Sequence, residues 1–173
     1  TANTLSDGAP KTLSHPGVYL NLGQDGSGAW LGLRLEHARV PQLLTVGGLA
    51  VAPRFLSVVL GDVTGDGAPE AYFGDYDSTE TGIVEPAIWD LNDRMLVNDG
   101  NGFFTDGSAA AFTPAHLLPA FNVAVEATDA NVDGAVDIVK CTTLDSPTAV
   151  RLLYNNPASI GNFTRSGVSD FGS

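Results

Sequence analysis

Apolar positions in this chain alternate with polar or small ones over short runs, and no stretch sustains a helical period for four turns. The run Phe55-Leu-Ser-Val-Val-Leu-Gly61 predicts a strand, the acidic stretch Asp62–Glu70 a tight turn, and the residues through Gly74 a returning strand. The same pattern recurs without gaps over Asn122–Cys141, shifted by 67 residues (Asp62 to Asp129). A second element repeats between these turns. Gly17–Trp30, Met95–Thr105 and Leu152–Thr164 each read as a short apolar strand ending in Asn (Asn21, Asn98, Asn155). A Gly/Asn-rich turn follows, then an aromatic residue expected to open the return strand. Asn and Gly tolerate the positive φ of tight β-turns, so all three read as hairpins. Spacings of 77 and 57 residues between these Asn positions give each unit about four strands' worth of chain. Aligning Asp7-Gly8 with Asp66-Gly67 places Asn3, Leu5 and Lys11 at the other positions of a degenerate first turn. The order predicts an all-β repeat domain of three units, 1–54, 55–120 and 121–173.

Composition fits such a chain. Hydrophobic residues make up 43% and charged residues 16%, which is globular, and 20 glycines and 10 prolines supply the turns. Eight Lys+Arg against 20 Asp+Glu give a net charge of −12. That field repels nucleic-acid phosphates and anionic membrane surfaces, and it attracts cations. The apolar stretch Val46–Gly61 is broken by Pro53 and Arg54, so it predicts no membrane span. Cys141 is the sole cysteine, which excludes an intrachain disulfide; its alternating surroundings predict a small buried hydrophobe. The start at Thr1 is not leader-like, as expected after removal of a leader or initiator Met, or in a piece of a longer protein.

The acidic turns carry the most specific chemistry. Loop one, Asp62-Val-Thr64-Gly-Asp66-Gly67-Ala68-Pro-Glu70, and loop two, Asp129-Ala-Asn131-Val-Asp133-Gly134-Ala135-Val-Asp137, share Asp-x-(Thr/Asn)-x-Asp-Gly-x-x-(Asp/Glu). Nine residues curled round one centre bring side-chain oxygens from positions 1, 3 and 5 inward. Gly at position 6 allows the reversal, position 7 offers its carbonyl, and the last carboxylate closes the shell. Three carboxylates in so short a loop repel one another unless a cation lies between them. Oxygen donors without His or Cys favour Ca²⁺ over Zn²⁺. The expected ligands are Asp62, Thr64, Asp66, Ala68 and Glu70 in loop one, and Asp129, Asn131, Asp133, Ala135 and Asp137 in loop two. Neither loop is an EF-hand, since position 12 holds Phe73 or Lys140 instead of Glu. Strands following at a 67-residue spacing also exclude a dockerin-like pair. The degenerate first copy offers no ligand at Leu5 and a positive charge at Lys11, so it is not expected to bind metal.

The pattern Phe-x-Ser-Val-x-x-Gly-Asp-x-x-Gly-Asp-Gly at 55–67, with Glu70, resembles the FG-GAP/VCBS repeat family, whose blades build integrin-α-like and bacterial secreted propellers. The hairpin Leu-x-Asn-Asp-Gly-Asn-Gly-Phe-Phe at 96–104 resembles the same family, chiefly its bacterial branch. The resemblance spans most of the chain in about three units, where the family's closed rings have six or seven. It implies a β-propeller of antiparallel four-stranded blades, Ca²⁺ in two inter-strand loops, and an extracellular or cell-surface setting. Glu70 for the usual Asp and Thr64 for the commoner Asx are departures, and a neutral Thr ligand is expected to weaken loop one.

Other candidate chemistry is sparse. His15, His37 and His116 stand singly beside prolines or charged residues, where surface or turn placement is expected. No nucleophile elbow, P-loop or His-Glu-x-x-His occurs, and no catalytic residue is predicted. Asp75, Asp77 and Glu80 read as a solvated loop rather than a paired-carboxylate site. Trp30 and Trp89 offer rings for sugar stacking, against which stands hairpin or core packing. Asn162-Phe-Thr164 is a glycosylation sequon expected to be exposed in a hairpin. The reading is a non-enzymatic, calcium-binding structural or adhesive scaffold, with self-association or a protein or glycan ligand as partner. A carbohydrate-binding propeller lectin and a non-catalytic fragment of a larger exported enzyme are the alternatives.

Overall fold

The computed structural model describes residues 16–41, 43–46, 49–51, 55–75, 92–117, 122–141, 150–163 and 168–171. Strands dominate them. β1 (Val18–Asn21) pairs with β2 (Leu33–Glu36), and β3 (Leu44–Val46) with β4 (Leu49–Val51), as two separate antiparallel pairs. β5 (Phe55–Gly61), β6 (Glu70–Asp75), β7 (Arg94–Asn98) and β8 (Phe104–Asp106) form an antiparallel sheet in sequence order. Two single-turn helices follow, α1 (Ser108–Ala111) and α2 (Pro114–Leu117). β9 (Ala124–Thr128), β10 (Asp137–Cys141), β11 (Val150–Leu153) and β12 (Val168–Phe171) form a second such sheet. The fold is all-β. The first unit departs from the expected four strands in one sheet, and its β1–β2 pair leaves Tyr19, Leu33 and Leu35 exposed. Among the described residues no helix is long and apolar enough to cross a membrane.

The two-residue period of β5 and β6 sends apolar side chains to both faces of their sheet. The register Val59↔Tyr72 and Val58↔Phe73 divides them. Val59, Tyr72, Met95 and Val97 face the second sheet and build the main core with Val125, Ile138 and Leu153. On the other face Phe55, Ala71, Phe73 and Leu96 cluster, partly covered by Val40 and Leu43. Two glycines bring the sheets close. A Cβ on Gly61 would lie 2.6 Å from Ala127 Cβ, and one on Gly74 would lie 2.6 Å from Asn122 Cβ.

A charged network lies inside this contact. Lys140 on β10 forms an ion pair with Asp93, and both are fully buried. Asp93 also accepts hydrogen bonds from Tyr72 Oη (2.7 Å), Asn122 Nδ2 (2.7 Å) and the Asp75 backbone N–H (2.8 Å), while Lys140 Nζ donates to the His116 carbonyl (3.1 Å). Burial, and then the Asp93 charge, push the Tyr72 phenol well above its usual range, so it stays a proton donor. The network corrects two expectations. Asp75 is not in a solvated loop but fully buried at the end of β6, and His116 is buried in α2 rather than at the surface. His37 is exposed; His15, Asp77 and Glu80 lie outside the described residues. Cys141 is half-buried at the end of β10 rather than enclosed.

The three Asn-ended hairpins keep their turn chemistry and lose their uniformity. Asn21 Oδ1 accepts from Gly23 N and Trp30 Nε1, and Asn98 Oδ1 accepts from Gly100 N and Gly102 N. Only the second hairpin returns at its aromatic, with β8 starting at Phe104. In the first, Trp30 sits in the turn, bridged to Gln24, and β2 starts at Leu33. In the third, Phe163 itself lies outside any strand, and the described part of the return strand, β12, starts at Val168. Phe163 is 0% exposed and stacks on Phe112 with ring centroids 4.5 Å apart, so residues 155–163 form a loop folded onto the core.

Candidate metal centre

The two acidic loops occupy equivalent places, joining the first strand to the second in each four-stranded sheet. Their local geometry is nearly the same. Asp62 Oδ1 accepts from Gly65 N (2.8 Å) and Asp66 N (3.1 Å), and its Oδ2 from Gly67 N (3.0 Å). Asp129 does likewise for Asp133 N (3.0 Å) and Gly134 N (2.9 Å). Asp66 Oδ1 and Asp133 Oδ1 each accept the N–H two residues on, from Ala68 and Ala135. Both alanines are buried, and position 9, Glu70 or Asp137, is the most deeply placed carboxylate of its loop. Gly67 and Gly134 adopt φ of 89° and 91°, the left-handed turn that position 6 requires.

Position 4 also needs the left-handed region. Loop one places Gly65 there (φ 75°), whereas loop two places Val132 (φ 62°), a β-branched residue for which this conformation is strained. Val132 is almost fully exposed, so its side chain is not held there by packing. Val132→Gly should therefore stabilise the protein by about 0.5–1 kcal/mol, the relieved strain exceeding the added unfolded-state entropy. Chemical denaturation measures this, and a loss of stability would show that the backbone tolerates valine there without strain.

In loop one, Thr64 Oγ1 and Glu70 Oε1, at positions 3 and 9, are buried and make no hydrogen bond of good geometry, although the Thr64 hydroxyl and the Asn98 N–H lie close enough to the Glu70 carboxylate to favour its charged form. The other Glu70 oxygen accepts from Val63 N and Thr64 N, both at 3.1 Å. Burial raises the Glu70 carboxyl above the usual carboxylate range, and the Asp66 charge adds to this against the opposing Thr64 N–H. In loop two, burial likewise raises Asp137; N–H groups of Asn155 and Ala130 oppose it, and the Asp133 and Asp129 charges reinforce it. There Asn131 Nδ2 donates to Asp133 Oδ2 (2.9 Å), so positions 3 and 5 meet each other.

Among the described residues no three His, Cys, Asp or Glu side chains stand together so as to hold a metal ion. The reason lies in the bonds above, because the carboxylates at positions 1 and 5 are turned toward backbone N–H groups. A hard cation would have to draw on the Thr64 hydroxyl or Asn131 amide and on main-chain carbonyls such as those of Ala68 and Ala135. The donor set of the loops is oxygen only, the kind that Ca²⁺ takes.

The remaining candidates separate. Trp30 is 63% exposed, its indole N–H held by Asn21, so it does not pack in a core; Trp89 lies outside the described residues. Asn162 is half-buried and hydrogen-bonded next to the enclosed Phe163, which corrects its expected exposure. Residues 3–11, with the degenerate first loop, also lie outside the described residues. Sequence reasoning missed Lys140, Asp93 and Asn122 as a buried group, and it read Asn155 only as a turn residue. Recurrence of Asn at 21, 98 and 155 was the one available signal for the last. No protein-family model, curated protein or solved structure matches the chain.

Proposed function

We propose that this chain is a calcium-stabilised structural or adhesive scaffold built of β-propeller-type blades resembling FG-GAP/VCBS repeats, without a catalytic centre of its own. The observation that carries the proposal is the nine-residue acidic loop that recurs between equivalent strands, each copy with its position-9 carboxylate, Glu70 or Asp137, buried and raised by that burial. Ca²⁺ would neutralise those carboxylates, which burial and the neighbouring Asp charges raise. We place the protein outside the cell or at its surface, the setting of the family it resembles.

The blade reading draws on the two sheets. Each is a four-stranded antiparallel meander, and they pack face to face. The far face of the first carries the same kind of apolar surface. Val58, Leu60, Ala71, Phe73, Leu96 and Phe104 line a cavity of about 240 Å³ there, closed on its other side by Pro16, Gly17, Val18 and Val40 of the first unit, and Leu60 is 61% exposed. A further blade, from this chain or from a second copy, is what such a face accommodates, and self-association belongs to the proposal. The exposed Trp30 ring favours a glycan ligand as the second reading, since sugar stacking needs an accessible aromatic face.

Thermal melting tests the calcium reading. Ca²⁺ at a hundredfold excess over Kd should stabilise each occupied site by about 2.7 kcal/mol. At roughly 2–4 °C per kcal/mol, the melting temperature should rise about 5–10 °C for each site occupied and fall back with EDTA. Millimolar Mg²⁺ should substitute poorly, because it demands a smaller octahedral shell. A melting curve indifferent to both Ca²⁺ and EDTA would refute the proposal.

A further inference from the structure

The hairpin asparagines set one frame for all three units. Two residues before each stands an apolar side chain: Tyr19, Leu96 and Leu153. Leu153 packs into the main core with Tyr72 and Met95 of the first sheet, and Leu96 into the cluster that Val40 and Leu43 of the first unit partly cover. Across the hairpin, Phe104 pairs with Asn98 and packs in that same cluster, as Leu33 pairs with Asn21. Each later unit therefore seats this face on the unit before it. In the first unit the same face, with Tyr19, Leu33 and Leu35, is open, and Leu33 is 56% exposed.

The opposite face shows the complementary contrast. On loop one, Asn155 Nδ2 donates to the Val63 carbonyl (2.8 Å). The loop after Asn155 lies alongside: a Cβ on Gly65 would lie 3.3 Å from Ile160 Cγ2, and one on Gly161 would lie 3.4 Å from Thr64 Cγ2. The third unit's hairpin thus covers the acidic loop of the second. The 67-residue shift carries Val63, Thr64 and Gly65 to Ala130, Asn131 and Val132, and all three are exposed, Val132 almost fully. It also carries Ser57 and Val59, half-buried on β5, to Ala124 and Glu126, exposed on β9.

We infer that the open face of the first unit seats on loop two and β9 of a second copy of this chain, head to tail. The inference deepens the self-association in the reading above. The chain itself supplies the template, because the contact of the Asn155 hairpin with loop one is what the Asn21 hairpin repeats on loop two. The Asn21 amide meets the Ala130 carbonyl as Asn155 meets Val63. Two replacements favour a copy over an unrelated apolar partner. Val59 and Leu153 both belong to the main core between the sheets. Their counterparts on the open faces are Glu126 and Tyr19, a carboxylate and a phenol that can hydrogen-bond to each other. Thr128 stands where Gly61 permits close approach within the chain, so the contact between copies is looser. A dissociation constant of about 1–100 µM is expected.

Sedimentation velocity of the full chain tests this, from dilute protein up to about 100 µM. The wild type should grow above the 17.9 kDa monomer as concentration rises. Leu33→Arg on one face, or Glu126→Arg on the other, should weaken association at least about tenfold and leave monomers. An equimolar mixture of the two should form one-to-one dimers and nothing larger, since each supplies the face the other lacks. Tyr19→Arg and Ala124→Arg are a second pair, used where circular dichroism shows either first variant misfolded. Assembly of Glu126→Arg like the wild type, while Leu33→Arg stays monomeric, would reveal a symmetric pairing of first-unit faces. That result, or a mixture that stays monomeric, would overturn the head-to-tail seating and leave self-association standing. A wild type monomeric throughout would overturn both, with the calcium reading still judged by its own melting test.

Discussion

Lys140→Met should destabilise the protein by about 3–5 kcal/mol, the range for removing one partner of a buried ion pair. The side chain it removes is fully enclosed, as is the Asp93 carboxylate it leaves behind. Tyr72, Asn122 and the Asp75 N–H would still donate to Asp93, but hydrogen bonds from neutral groups do not replace a cation at a fully enclosed carboxylate. The network spans the two sheets, so the loss should appear as a lower midpoint of one cooperative unfolding transition. Asp93→Leu alone should also destabilise, because it removes the carboxylate that Lys140 pairs with inside the core. The double variant should lose clearly less than the sum, because it removes both halves of the pair together. Denaturant unfolding of the four proteins makes the cycle, and additive losses would show that the pair does not interact as the geometry indicates.

Phe163→Ala should cost about 3–5 kcal/mol, as expected for deleting a buried aromatic side chain that the surroundings cannot refill. Its ring stacks on Phe112, which itself meets Tyr72 edge-on at 5.7 Å, so the cavity would open in the main core. Phe103→Ala is the informative control. Phe103 follows the same Asn/Gly turn chemistry in the second unit, yet it is about half exposed and contacts the Arg39 guanidinium from the surface. Its loss should stay below about 1 kcal/mol. Equal effects would mean that residues 155–163 behave as an ordinary exposed hairpin. Both variants can be compared in EDTA, which separates packing from any effect of calcium.

The acidic loops were legible because their determinants are local. An Asp that captures the N–H groups of the next few residues, and a glycine at positive φ, act within nine consecutive residues and leave a periodic mark. The long strands were legible for the same reason, since alternation in Phe55–Gly61 and its copy is written residue by residue. The third hairpin was not. Its Asn, Gly and Phe match the second hairpin as letters, but the extra loop residues let Phe163 reach the space beside Phe112 instead of opening a strand. Asp75 and His116 were misplaced similarly: a charged residue next to a turn reads as solvated until a partner from another unit encloses it.

By itself the sequence determined the all-β class, the places of the acidic turns, and the glycine-dependent reversal at Gly67 and Gly134. Each follows from steric and hydrogen-bonding preferences of neighbouring residues. Only the tertiary structure decided which polar groups are enclosed and what they meet. Lys140 finds Asp93 47 positions earlier, and Asn155 reaches Val63 across 92 residues. Such pairings depend on how two sheets are brought face to face, through the close approach that Gly61 and Gly74 permit. The free energy of a buried charge or amide is fixed by those distant partners, and no local pattern along the chain encodes them.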